Sequence, residues 1–61
     1  MPQYRVYSVD EGGSVFGDRF LDAINDQEAI AAVCALKRRH DCEVWLRDRR
    51  IAKVRGYRDQ E

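Results

Sequence analysis

The sequence predicts an α+β domain of ββαββ order, in which a four-stranded antiparallel sheet carries one helix packed on one face. Two observations carry this expectation. Segments rich in β-formers come in two pairs, each joined by a short turn sequence, and one capped stretch of helical periodicity stands between the pairs. Length agrees with it, because 61 residues bury too little surface to supply two cores, so residues 1–61 are read as a single domain.

Tyr4 to Val9 alternates around Arg5 and reads as the first strand, with Tyr4, Val6 and Ser8 on one face and Arg5, Tyr7 and Val9 on the other. Asp10-Glu11-Gly12-Gly13-Ser14 then offers two glycines able to take positive φ, which suits a hairpin loop. Val15 to Ala23 is the returning strand. Its two parities are Val15, Gly17, Arg19, Leu21, Ala23 and Phe16, Asp18, Phe20, Asp22. Placing Leu21 and Ala23 on the core side, next to the helix entry, turns Phe16 and Phe20 outward.

Asn25-Asp26-Gln27-Glu28 is a capping box in its Asn form, the Asn25 side chain accepting from the Glu28 amide. Acids in the first turn and Lys37, Arg38 and Arg39 in the last suit the helix dipole, so the helix is predicted over about residues 26–39. At 100° per residue, Ala29, Ala32, Val33 and Leu36 share the core stripe.

Cys42 to Leu46 and Arg50 to Arg55 form the second strand pair around a charged turn. With the three-residue loop Arg47-Asp48-Arg49, the side chains of Cys42, Val44, Ala52 and Val54 point to the helix, and Glu43, Trp45, Ile51 and Lys53 share the opposite face. With a two-residue loop, Ile51 and Val54 exchange sides. The longer loop is preferred because it pairs Glu43 with Lys53 and Trp45 with Ile51 across the strands. Residues 56–61 have no periodicity and are expected to fray.

Composition sets the outer limits of function. At 44% hydrophobic and 36% charged, the chain is too apolar for a disordered tail and too charged for a membrane protein. No apolar run approaches the roughly 20 residues that cross a bilayer, and Met1-Pro2-Gln3-Tyr4-Arg5 lacks the order of a signal peptide. Cys34 and Cys42 are too few for a disulfide framework, so a cytoplasmic location is expected. Eleven basic and eleven acidic residues cancel, although acids dominate residues 10–28 and bases, Arg58 included, crowd the second half.

The residues Tyr4-Arg5-x-Tyr7-x-x-Asp10, Asp26-x-Glu28-Ala29, Glu43-Val44-Trp45 and Arg49-Arg50-Ile51-Ala52-Lys53-Val54 together resemble a family of very short bacterial proteins. Its members are about the length of this chain and have no assigned activity. The likeness spans nearly the whole sequence. It implies a fold and supplies no mechanism. Phe20 stands where the resemblance leads one to expect a polar residue, which points to an exposed aromatic face, and Arg47 stands where a glycine is common in the turn.

Cys34, His40, Asp41 and Cys42 offer zinc-type ligands, but a C-x₅-H-x-C spacing has no C-x₂-C or H-x₃-H element. The favoured reading makes Cys42 a small buried strand residue, Cys34 a helix-edge residue and His40 a cap at the helix C-terminus. No metal or other cofactor is expected. Ser8, Ser14, His40 and the two thiols have no spacing that implies convergence, and so small a domain has little room for a ligand pocket. The sequence therefore reads as a non-enzyme without a small-molecule substrate or a membrane partner.

Two surfaces remain. Phe16, Phe20, Trp45 and Ile51, with Tyr7 beside them, would occupy the sheet face that one helix cannot cover, which favours a protein-interaction module, homodimeric or bound to another protein. The alternative is a small nucleic-acid-binding protein using Arg47, Arg49, Arg50, Lys53 and Arg55, with Trp45 as a stacking platform. Zero net charge weighs against the second, and alternating arginines on a hairpin also guard an edge against aggregation.

Overall fold

The chain runs β1 (Gln3–Val9), β2 (Val15–Asp22), α1 (Asp26–Ala35), β3 (Asp41–Leu46) and β4 (Arg49–Val54) in a computed structural model, which describes residues 1–57. The four strands form one antiparallel sheet in the order β2-β1-β3-β4, and the helix lies against it. The predicted ββαββ fold with a single helix on one face is the fold observed.

The first hairpin closes through Asp10. Its Oδ1 accepts from the Gly12 and Ser14 amides, both at 2.9 Å, and the chain reverses at Gly13 with φ 86°. That φ lies in the left-handed region that glycine enters without cost. β1 keeps the predicted alternation over residues 4–7, where Tyr4 and Val6 enter the core and Arg5 and Tyr7 face the other way, but Val9, expected on the outer face with them, is buried and Ser8 is half-buried. Between Ser8 and Val9 the pairing slips by one residue, so that Ser8 stands opposite Gly17 but Val9 opposite Val15, leaving Phe16 as the extra residue of a bulge.

Asn25 caps α1 as predicted, with Oδ1 accepting from the Glu28 amide at 2.8 Å. The far end differs. The helix stops at Ala35 rather than near Arg39, because Leu36 and Lys37 bond back to Val33 and Cys34 and Lys37 turns to φ 51°. Lys37, Arg38 and Arg39 therefore belong to the link into β3 and not to the last helical turn, and His40 does not cap the helix. The predicted core stripe ends with it: Ala29 and Val33 are buried and Ala32 is half-buried, but Leu36 is exposed.

The core joins Tyr4, Val6, Ala23, Ala29, Val33, Cys42 and Val44, with Leu21, Leu46, Ile51 and Val54 packed against it. Tyr4 is the largest of the side chains wholly enclosed there. Its hydroxyl donates to Asp26 Oδ1 at 2.7 Å and so ties β1 to the first turn of α1. The thiol of Cys42 lies inside as predicted, while Cys34 is exposed on the helix.

The second hairpin combines two alternatives that regular pairing makes exclusive. Leu46 pairs with Arg49, so the loop has two residues, Arg47 and Asp48, with Arg47 at φ 60°. Glu43 nevertheless pairs with Lys53, because a bulge between Val44 and Trp45 absorbs one residue of β4. Ile51 is that residue. The preferred three-residue loop and the Trp45–Ile51 pair are both overturned: Trp45 stands opposite Arg50, and Ile51 packs against the core.

The predicted frayed tail begins too early. The Gly56 amide donates to Asp41 Oδ1 at 2.7 Å and the Tyr57 amide to the Arg38 carbonyl at 2.6 Å, strapping the end of β4 across the link that follows α1. The rest of that predicted tail, from Arg58 on, lies outside the described residues.

Candidate interaction surface

The helix packs mainly across β3 and β4, so among the described residues the opposite face of the sheet is left uncovered by it. The observed pairings lay out that open face in rows that cross all four strands. One row reads Phe20, Arg5, Trp45, Arg50, and the next reads Asp18, Tyr7, Glu43, Lys53. The first alternates aromatic and cation. The second holds two carboxylates, a phenol and an ammonium.

Local contacts knit the rows together. The Arg5 guanidinium lies 4.5 Å from the Phe20 ring centre and 5.9 Å from that of Tyr7, within cation–π reach of both. Tyr7 and Trp45 meet edge to face with centroids 6.2 Å apart, the geometry that aromatic quadrupoles favour. Trp45 Nε1 donates to Glu43 Oε1 at 3.0 Å, and the other oxygen of Glu43 is 3.5 Å from Arg50. Asp18 lies 3.7 Å from Arg5, and Lys53 lies 4.0 Å from Asp41. These ion pairs are partly exposed and long, so each contributes little to stability and leaves its charges accessible.

Of the four residues expected on this face, the structure brings together Phe20 and Trp45, which flank Arg5. Phe16 occupies the bulge at the other end of β2, where its ring meets that of His40 edge to face at 4.8 Å. Ile51 lies half-buried against the core, where the two-residue loop that pairs Trp45 with Arg50 turns it. Arg5 and Arg50 are the members that the expected interaction face leaves out, Arg50 belonging to the alternative surface. Arg5 carried a signal, since it shares its parity with Tyr7 on the strand, and so did Arg50, which the two-residue loop, the alternative not preferred, sets opposite Trp45.

The five cations of the alternative surface are divided between places. Arg50 and Lys53 lie on the open face beside carboxylates. Arg49 points the other way, with its Nη2 3.9 Å from Asp26 Oδ2 at the start of α1. Arg47 occupies the turn and Arg55 follows β4, both exposed. A shallow, open depression at one end of the open face is lined by Arg5, Tyr7, Phe20, Leu46 and Arg47 together with Pro2 and Gln3.

Elsewhere the chemistry is sparse. Burial pushes the Cys42 thiol above its ordinary pKa, and the neighbouring Asp41 carboxylate adds to this, while Arg38 and Ser8 oppose it. Such a thiol is held in its unreactive form. Among the described residues, no three His, Cys, Asp or Glu side chains gather as a metal site would require, and no helix is long and apolar enough to cross a membrane.

Compared with protein-family models, with curated proteins and with solved structures, the chain matches none.

Proposed function

We propose that the domain is a non-enzymatic protein-interaction module that works through the open face of its sheet and takes a second copy of itself as partner. The observation that carries this reading is the row Phe20, Arg5, Trp45, Arg50 on a face that the helix does not cover. Aromatic residues and arginine are the side chains most enriched at the energetic centres of protein interfaces. The molecule is a slab of 38 × 23 × 15 Å, so its broad side is of the order of the ~800 Å² per partner that a standard interface uses.

A chain this short gains from such an arrangement. Its core alone rarely supplies more than ~3–5 kcal/mol, and any partner that binds only the folded form adds to stability by mass action.

The test is the solution molar mass of the reduced protein, measured by light scattering after size exclusion over a range of concentrations. The wild type is expected to reach twice the chain mass, and Trp45→Glu, which places a carboxylate beside Glu43 at the centre of the face, is expected to remain a folded monomer. A wild type that stays monomeric throughout would overturn the proposal.

The nucleic-acid reading draws support from Tyr7, Phe20 and Trp45 as stacking surfaces beside Arg50 and Lys53. It draws less than the first, because those two cations sit beside Glu43 and Asp41 and because Arg49 is turned toward Asp26. Retention of a labelled single-stranded oligonucleotide at low salt, lost steeply as salt rises, is the outcome that would favour it.

A further inference from the structure

The side chains of the open face are complementary to themselves when their order is reversed, and from this we infer that two copies stack face to face about a two-fold axis that runs along the strands between β1 and β3. The inference rests on the self-association proposed above and adds its geometry. A two-fold axis pairs a surface with its own image, so every group must meet a complementary group of the same patch. An axis parallel to the strands keeps each row level with itself and reverses its order, exchanging β2 with β4 and β1 with β3.

Under that operation the first row sets Phe20 against Arg50 of the second copy and Arg5 against its Trp45, which makes four cation–aromatic contacts across the pair. The second row sets Asp18 against Lys53 and Tyr7 against Glu43, giving two ion pairs and two phenol–carboxylate contacts. No like charges meet in either row. An axis turned by a right angle within the same plane fails this condition, because it lays one row over the other and brings Arg50 onto Lys53.

The sheet architecture accommodates the arrangement. Rotation about the strand direction leaves the strands of the two sheets nearly aligned, and twisted sheets packed face to face take up the usual offset of about 30°. β1 and β3 are the central strands of the order β2-β1-β3-β4, so the axis passes through the middle of the face. The in-chain distances of Asp18 to Arg5, 3.7 Å, and of Lys53 to Asp41, 4.0 Å, are loose enough for both groups to take a second partner.

Exchange of one charge in each of two variants tests the axis. In Asp18→Lys the homodimer faces lysine with lysine twice, and in Lys53→Asp it faces aspartate with aspartate twice. A dimer of one variant with the other regains two opposite-charge pairs. Mixing equal amounts of the two and recording native mass spectra at low salt is expected to raise the ratio of mixed dimer to homodimers at least about tenfold over the equal amounts that random pairing gives, since several pair interactions change sign together.

Random pairing of the two variants, with both still dimeric and Trp45→Glu monomeric, would overturn this axis and leave self-association through the open face in place. A wild type that is monomeric at every concentration would overturn both. Folding of each variant is checked by its denaturation midpoint, and Asp18→Asn with Lys53→Gln, which remove charge without reversing it, are expected to pair at random.

Discussion

Gly56 is the position at which a single methyl group should be felt most sharply. A Cβ built there collides with the carbonyl oxygen of Arg39 and lies 2.8 Å from that carbonyl carbon and 3.2 Å from the carbon of His40. All of these are backbone atoms, so no side chain can swing aside. Gly56→Ala therefore leaves two routes. The strap can stay and force the link to shift, an overpacking cost of about 1–3 kcal/mol. It can also detach, losing the Gly56–Asp41 and Tyr57–Arg38 hydrogen bonds, at about 0.5–1.5 kcal/mol for the neutral bond and more for the one to the carboxylate. The protein takes the cheaper route, and the smaller entropy of an unfolded alanine returns about 0.4–1 kcal/mol. A net loss of about 0.5–2 kcal/mol follows, a substantial part of the ~3–5 kcal/mol that a core of this size supplies. Urea denaturation at one fixed protein concentration reads it, because association would otherwise shift the midpoint. Gly17→Ala is the control: nothing lies within 4 Å of a Cβ there, on an exposed strand with no positive φ. Equal midpoints for the two variants would refute the strap as a stabilising contact.

The two thiols should separate cleanly: iodoacetamide under native conditions is expected to modify Cys34, which is exposed, and to spare Cys42, whose buried thiol has a raised pKa, until the protein is unfolded. Mass spectrometry of the alkylated peptides distinguishes them. Tyr4 gives the protein an alkaline limit. Its hydrogen bond to Asp26, then burial, then the charge of Asp26 raise its pKa above the ordinary value, with Arg49 opposing. A raised folded-state pKa means that this contribution is complete below the unfolded value of about 10 and is lost as pH climbs through the folded one. Urea midpoints measured across that range should fall for the wild type and fall less for Tyr4→Phe.

How much of this was legible in the sequence depended on whether the deciding interaction was local. The Asn25 cap, the Asp10 loop and the alternation of β1 over residues 4–7 are each fixed by residues within a few positions of one another, and all three are present as expected. The helix end was not legible. A basic cluster after a helical stretch is a dipole signal only if the helix reaches it, and here the chain leaves α1 at Lys37 in a left-handed conformation with no glycine to announce it. Lys37 instead extends its ammonium to 5.5 Å from the ring centre of Tyr57, beside the strap. Two bulges were equally silent. A bulge is selected by the fit of a whole strand against its neighbours, and neither Phe16 nor Ile51 carries a local motif that marks it as the extra residue.

The turn of the second hairpin matters most for the surface, because its length changes the chemical kind of the open face. With a three-residue turn, an isoleucine stands opposite Trp45 and the face is an apolar patch of the sort that aggregates when left uncovered. With the two-residue turn, Ile51 packs against the core and Arg50 takes that place, closing the alternation Phe20, Arg5, Trp45, Arg50, and the bulge beyond it returns Lys53 to its place opposite Glu43. The packing of one aliphatic side chain against the core and the polarity of the opposite face are thus two consequences of the same two-residue turn. A face of alternating aromatics and cations, bordered by Asp18 and Glu43, can stand in water while a copy is alone and still offers a partner more than apolar area. Its selectivity lies in the order of its groups, and that order needs both the turn that sets Arg50 opposite Trp45 and the bulge that sets Lys53 opposite Glu43.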